Sequence, residues 1–229
     1  MRKFGLIGFP LSHSFSQKYF TEKFAKENIS DAEYFAFPIE HISDLPRLIA
    51  DNTDLHGLNV TIPYKESVLP FLSEYNDIVR QTGACNCISI HDNKLSGYNT
   101  DVIGFKLSLE KKLKPFHNKA LIFGEGGAAK AVAYVLKELS IEYLTVSRRN
   151  ELGEGKIHYD QLTGDIVREY RLIINCTPLG MYPQVENFPP LPYDVISNEH
   201  YLFDLIYNPS KTRFLELGEK QGATIENGY

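Results

Sequence analysis

KALIFGEGGAAKAVAYVLKEL, residues 119–139, reads as an apolar β-run, a glycine turn and an amphipathic helix that opens on small residues. Gly124, Gly126 and Ala129 stand at the spacing G-x-G-x-x-G/A. In that pattern the first glycine permits a tight turn, the second lets backbone approach a pyrophosphate, and the last small residue lets the helix pack closely. N–H groups at the start of the helix then face the anion. Alone the fingerprint is weak, but a strand before it and a helix after it are the context that makes it dinucleotide-binding. Glu125 is its uneasy member, because a carboxylate beside a pyrophosphate is unfavourable unless it turns away.

The next β-run, EYLTVSRRN at 142–150, selects the cofactor. An NAD site wants a carboxylate here for the ribose 2′-hydroxyl, whereas Ser147, Arg148 and Arg149 suit a 2′-phosphate. NADP(H) is the expected cofactor; the alternative is that the two arginines merely line a solvated loop.

Working outward, short β-like runs alternate with helical patterns: KFGLIGF, EYFAFPI, LHGLNVTI and CISI, then EYLTVS, RLIINCT and YLFDLIY after the fingerprint strand. Such alternation marks parallel α/β sheets. Asp92-Asn93 in SIHDNKLSGY has hairpin chemistry, which makes the first sheet mixed and gives it an antiparallel edge. Phe15, Tyr19, Phe20 and Phe24 form an apolar helical stripe opposite a ladder of Lys18, Glu22 and Lys26. From Asp101 to Lys114, Val102, Phe105, Leu109 and Leu113 recur at helical spacing, Thr100 or Asp101 can cap the start, and Pro115 ends it. The expected organisation is an α/β chain with an N-terminal mixed-sheet domain over 1–101, a connecting helix over 102–114, and a C-terminal Rossmann-like, doubly wound domain over 115–229.

Composition narrows the partners. Of 229 residues 43% are hydrophobic and 23% charged, which is ordinary globular usage. Apolar runs fall short of the roughly 18 residues that suggest a membrane span, and the opening MRKFGLIGFP reads as a strand rather than a signal peptide. The net charge of −5 leaves no basic stripe for nucleic acid. Cys85, Cys87 and Cys176 are too few for a disulfide framework, so free thiols and a cytoplasmic location are expected. Cys85 and Cys87 read as core packing rather than a metal pair, and the seven histidines are scattered; a metal site is not expected.

Three polar groups remain: Ser12 and Ser14; Asn59, Thr61 and Lys65 in NVTIPYK; and Asn86 with Asn99, Thr100 and Asp101. All fall at strand ends, where open α/β sheets place ligands, and together they suit a small polyhydroxylated acid. Each also has a local use: Ser14 as a helix cap, Asn86 as a partner for strand backbone, Asp101 as a cap.

SHSFS (12–16), NVTIPYK (59–65), GACNCI (83–88), GYNTDVIGF (97–105), GEGGAAKAV (124–132), NCTPLGM (175–181) and DLIYNP (204–209) stand in the order and at about the spacing of the shikimate dehydrogenases, which this chain resembles over nearly its whole length. The resemblance implies a first domain for shikimate, a second for NADP(H), and reversible reduction of 3-dehydroshikimate to shikimate, a step toward aromatic amino acids. It implies Lys65 and Asp101 as the catalytic pair, with Ser12 and Ser14 on the substrate carboxylate, Thr61 beside them, Asn86 on ring hydroxyls and Tyr207 at the substrate. The cofactor contacts it implies are Gly124, Glu125, Gly126, Gly127, Ala128, Ser147, Arg148, Arg149, Thr177 and Gly228, with Met181 and Leu205 beside the nicotinamide.

The chain departs from the family where Glu125 replaces a small residue and SRRN replaces asparagine-arginine-threonine. It also stops at ENGY, where family members continue into a helix bearing a substrate-binding glutamine. The rival readings are a quinate/shikimate dehydrogenase with altered substrate or NAD use, and a non-catalytic dinucleotide-binding protein. The expected assembly is a monomer or homodimer.

Overall fold

The first buried apolar run forms β1 (Arg2–Gly8), followed by α1 (Ser16–Lys26), β2 (Ala32–Pro38), α2 (Leu45–Asp51) and β3 (Leu55–Val60). Then come β4 (Glu74–Tyr75), α3 (Asp77–Thr82), β5 (Cys87–His91) and β6 (Lys94–Tyr98). The computed structural model describes residues 1–12, 14–149 and 153–229, so His13 of SHSFS and Asn150 of SRRN lie outside the described residues. Contacts divide the chain into two units, Met1–Thr100 and Asp101–Tyr229.

In the first unit the described residues form one mixed sheet of order β2-β1-β3-β5-β6-β4. β1 runs parallel to β2 and β3, and β5 runs antiparallel to both β3 and β6. The β5–β6 turn has positive φ at Asp92 (48°) and Asn93 (59°), a conformation that asparagine and aspartate tolerate. The hairpin is not the sheet's edge, however, because two-residue β4 pairs in parallel outside β6. Asn76 starts α3 by accepting the Val79 N–H at 3.0 Å, and Gly83, at φ 61°, ends it. Ile7, Leu45, Leu58, Val68, Val79 and Ile88 make the core, each burial worth roughly 1.5–3 kcal/mol. The α1 stripe is less buried than a core face: Phe15 and Tyr19 are about two-fifths exposed, while Phe20 stacks on Tyr34 at 4.4 Å.

The second unit opens with α4 (Asp101–Glu110). Expected as a connector, this helix packs within the unit, with Phe105 edge-on to Phe203 and Lys106 Nζ 3.3 Å from Glu138. Its buried Val102, Phe105 and Leu109 form the apolar stripe that packs there. β7 (Lys119–Phe123), α5 (Gly127–Glu138), β8 (Glu142–Ser147) and β9 (Lys156–His158) follow. The unit closes with α6 (Gly164–Glu169), β10 (Leu172–Asn175), β11 (Tyr201–Asp204), α7 (Arg213–Lys220) and β12 (Thr224–Glu226). Its strands pair in parallel in the order β9-β8-β7-β10-β11-β12. Numbered within the unit that is 3-2-1-4-5-6, the doubly wound order whose switch point lies between β7 and β10. Leu121, Phe123, Val146, Ile173, Leu202 and Phe214 fill its core. Among the described residues no helix is long and apolar enough to cross a membrane.

Candidate active site

Parallel pairing of β1 and β3 sets their carboxyl ends side by side: Thr61 N donates to Ile7 O at 3.0 Å and Phe9 N to Ile62 O at 3.1 Å. A Cβ on Gly8 would lie 2.5 Å from Thr61 Cγ2, so only glycine allows this approach. The turn carrying Ser12 and Ser14 therefore leaves the sheet beside Thr61. Ser14 does not cap α1 directly; its hydroxyl oxygen accepts the Ser16 N–H at 3.3 Å, and a hydroxyl that accepts retains a proton to donate. Asn59 accepts the Tyr34 hydroxyl at 2.8 Å, which fixes its amide.

Lys65 sits half-exposed in the turn after β3, and its carbonyl accepts the Cys85 N–H at 2.7 Å. Because β5 runs antiparallel to β3, Asn86 lies beside the end of β3, with its carbonyl accepting the Val60 N–H at 2.9 Å. The buried Asn86 side chain takes the Thr100 N–H at 2.8 Å and donates to Thr100 Oγ1 at 2.9 Å. Asn99 is buried too, donating to the Ala84 carbonyl at 3.0 Å. Asp101 follows Thr100 by one peptide bond and begins α4. Cys85, fully buried, and half-buried Cys87 are both free thiols, and burial pushes the Cys87 thiol up.

In the second unit Gly124 has φ +106°, and a Cβ there would stand 3.2 Å from the Cys176 carbonyl and 3.3 Å from Thr177 Cγ2. The glycine turn after β7 thus packs on the turn after β10, at the switch point. Gly126 has open space within 4 Å of a built Cβ, and no side chain caps the start of α5. Gly127 and Ala128 are its first residues, so the helix presents backbone N–H groups to a cradle that a larger residue at 126 would fill. These features fit a dinucleotide pyrophosphate.

Asp204, fully buried at the end of β11, organises the neighbouring loops. It accepts from Asn175 Nδ2 at 3.0 Å, Ile206 N at 3.0 Å and the Thr212 hydroxyl at 2.5 Å. Burial, partly offset by these donors, pushes its carboxyl up to about 6. Asn175 in turn accepts from Thr177 N at 3.0 Å and Thr177 Oγ1 at 2.6 Å, which fixes the NCTPLGM loop. Gly228 lies against Leu205 so closely that a Cβ would sit 2.0 Å from the Leu205 carbonyl. Met181 and Tyr207 are more than two-fifths exposed.

Glu125 turns away from the cradle. Its carboxylate, 16% exposed, accepts from the Ser147 hydroxyl and from Lys156 Nζ at 2.6 Å, with Arg149 Nε at 3.5 Å. Lys156 first, then Ser147, holds its carboxyl below the usual range. Arg148 is exposed. Lys156 and Asp204 are the functional candidates that sequence reasoning missed. Lys156 lies on a three-residue strand too short to show a period, whereas the Asp of DLIYNP, closing an apolar strand, was a usable signal.

A doubly wound sheet with a glycine cradle at its switch point, preceded by a mixed-sheet unit, defines a two-unit α/β protein of the dinucleotide-binding class. A family profile described as the shikimate dehydrogenase substrate binding domain matches residues 6–88. A shikimate dehydrogenase (NADP(+)) from Methanosphaera stadtmanae is 35% identical over 98% of this chain and 84% of its own length. That from Carboxydothermus hydrogenoformans is 38% identical over 98% and 85%. The crystal structure of shikimate 5-dehydrogenase from Thermus thermophilus in complex with NADP(H) and shikimate superposes with a TM-score of 0.83 at 30% identity, covering all of this chain and 87% of that one. The chain belongs to the shikimate dehydrogenase family.

Proposed function

We propose that this chain catalyses the reversible, NADP-dependent reduction of 3-dehydroshikimate to shikimate; relatives of it bear the name shikimate dehydrogenase (NADP(+)). The observation that carries the reading is the placement of Ser14, Thr61, Lys65 and Asn86 about the carboxyl ends of β1 and β3 in the first sheet, in a chain whose second sheet has the fingerprint cradle at its switch point. Hydroxyls of Ser12, Ser14 and Thr61 hold the substrate carboxylate, and Asn86 meets ring hydroxyls. Tyr207 is the further substrate contact.

Lys65 is the proton-transfer group, and Asp101 is the second catalytic residue. Bound NADP(H) supplies or accepts the hydride. Lys65 as ammonium protonates the ketone oxygen in reduction, and as neutral amine it takes the alcohol proton in oxidation. On the cofactor side Gly124, Gly126, Gly127 and Ala128 meet the pyrophosphate, Ser147 to Arg149 with Glu125 lie at the 2′-phosphate end, Met181 and Leu205 lie beside the nicotinamide, and Thr177 and Gly228 are further cofactor contacts.

The test is a spectrophotometric assay of shikimate oxidation with NADP+, run beside quinate and NAD+. Turnover fastest with shikimate and NADP+ is expected. A protein that binds NADPH yet turns over no cyclic hydroxy acid is a dinucleotide-binding protein, and the proposal falls.

A further inference from the structure

We propose that Glu125 is a cofactor-specificity residue that lowers the preference for NADP(H) and admits NAD(H), an inference that rests on the second unit binding a dinucleotide. In doubly wound NAD sites a carboxylate at the end of the second strand accepts the ribose 2′-hydroxyl. Here that strand, β8, ends in Ser147, and its acid, Glu142, stands at the opposite end. The tertiary structure supplies one from elsewhere: Glu125, on the glycine turn, bonds the Ser147 hydroxyl itself. The chain Arg149 N–H to Ser147 Oγ (3.1 Å), then Ser147 O–H to Glu125, fixes the carboxylate at that strand end.

The same carboxylate engages the cations a 2′-phosphate would use. Lys156 Nζ lies 2.6 Å and Arg149 Nε 3.5 Å from it. A 2′-phosphate must draw these groups away from Glu125 and then stand against its negative charge, and like charges brought together at a binding site are costly. A ribose 2′-hydroxyl meets neither penalty and finds an acceptor. Lys156 is the counterweight, the second cation for the phosphate, brought to the site by the parallel pairing of β9 with β8.

Calorimetric titration of NADP+ and NAD+ into the parent, Glu125→Gln and Lys156→Met proteins tests this. Glutamine keeps an acceptor oxygen for Lys156 or Ser147 and removes the charge. Glu125→Gln is expected to tighten NADP+ relative to NAD+ by about tenfold, equivalent to about 1.4 kcal/mol. The gain should shrink at high salt, because the contact is part-exposed. Lys156→Met should move the ratio the other way. An unchanged ratio in Glu125→Gln, with both dinucleotides still bound by the parent, overturns the inference and leaves the dehydrogenase reading standing. Failure of the parent to bind either dinucleotide overturns both.

Discussion

Asn86 holds Thr100 at two points, with Oδ1 accepting its N–H at 2.8 Å and Nδ2 donating to its hydroxyl at 2.9 Å. One amide thereby joins the end of β6 to the start of β5 and fixes the residue before Asp101. Asn86→Ala leaves a backbone N–H without its acceptor, at a cost of about 1–3 kcal/mol. Urea denaturation should show that loss, and shikimate KM should rise with it. A variant with parental stability and KM would mean that water replaces the amide.

Lys65→Met should lower kcat for shikimate oxidation by about 10²–10⁴, the usual worth of a positioned acid-base group. Shikimate should still bind, as measured by fluorescence titration. A Lys65→Met variant with parental kcat contradicts the assignment.

Gly124 and Gly126 should respond differently to alanine. At φ +106°, 3.2 Å from the Cys176 carbonyl, Gly124→Ala strains the backbone, at about 1–3 kcal/mol. Gly126, with φ −75° and open space around its built Cβ, accepts alanine in the fold. Gly126→Ala should melt like the parent yet bind NADP+ more weakly, since the added methyl enters the cradle. Parental affinity in Gly126→Ala would place the pyrophosphate elsewhere.

Asp204 should make stability fall as pH rises from about 4 to 6. Its carboxyl goes from 3.8 to about 6 on folding, so the native state holds the proton more tightly; its contribution is full below 3.8 and lost by about 6. Two pH units correspond to about 3 kcal/mol. The stability difference between the parent and Asp204→Asn should therefore change by roughly that amount between pH 4 and pH 7. A constant difference in denaturation midpoints across that range rules the linkage out.

His117 and His200 act in the opposite sense. Burial lowers both from 6.5, and each Nδ1 already accepts a backbone N–H, from Lys114 at 3.1 Å and Ser197 at 3.0 Å. Their contribution is full above 6.5 and is lost as pH falls through that value toward the lower folded one, because the unfolded chain takes up the protons first. His200→Gln should flatten the acid limb of the stability curve; an unaltered limb would exonerate this histidine.

Much of the chain was legible because its signals are local. The strand, glycine turn and helix at 119–139, the hairpin at Asp92-Asn93 and the apolar stripe of α4 each follow from residues within one or two turns of one another. β4, β9 and β12, of two or three residues, are too short to show an alternating period. The exposure of Phe15 and Tyr19 was hidden for another reason: a helical stripe reports which face is apolar and leaves open how deeply it is buried.

By itself the sequence determined the two α/β units, the dinucleotide fingerprint and the set of polar residues that a hydroxy acid would need. Tertiary structure decided where their polar atoms point. Pairing of β8 with β7 and β9 brings Ser147 and Lys156 to Glu125, residues 22 and 31 positions apart from it in the chain. Strand order likewise makes Asp204 the hub of loops that follow different strands. Such partners are set by sheet register and crossover, which depend on the whole core, and no window of sequence contains them.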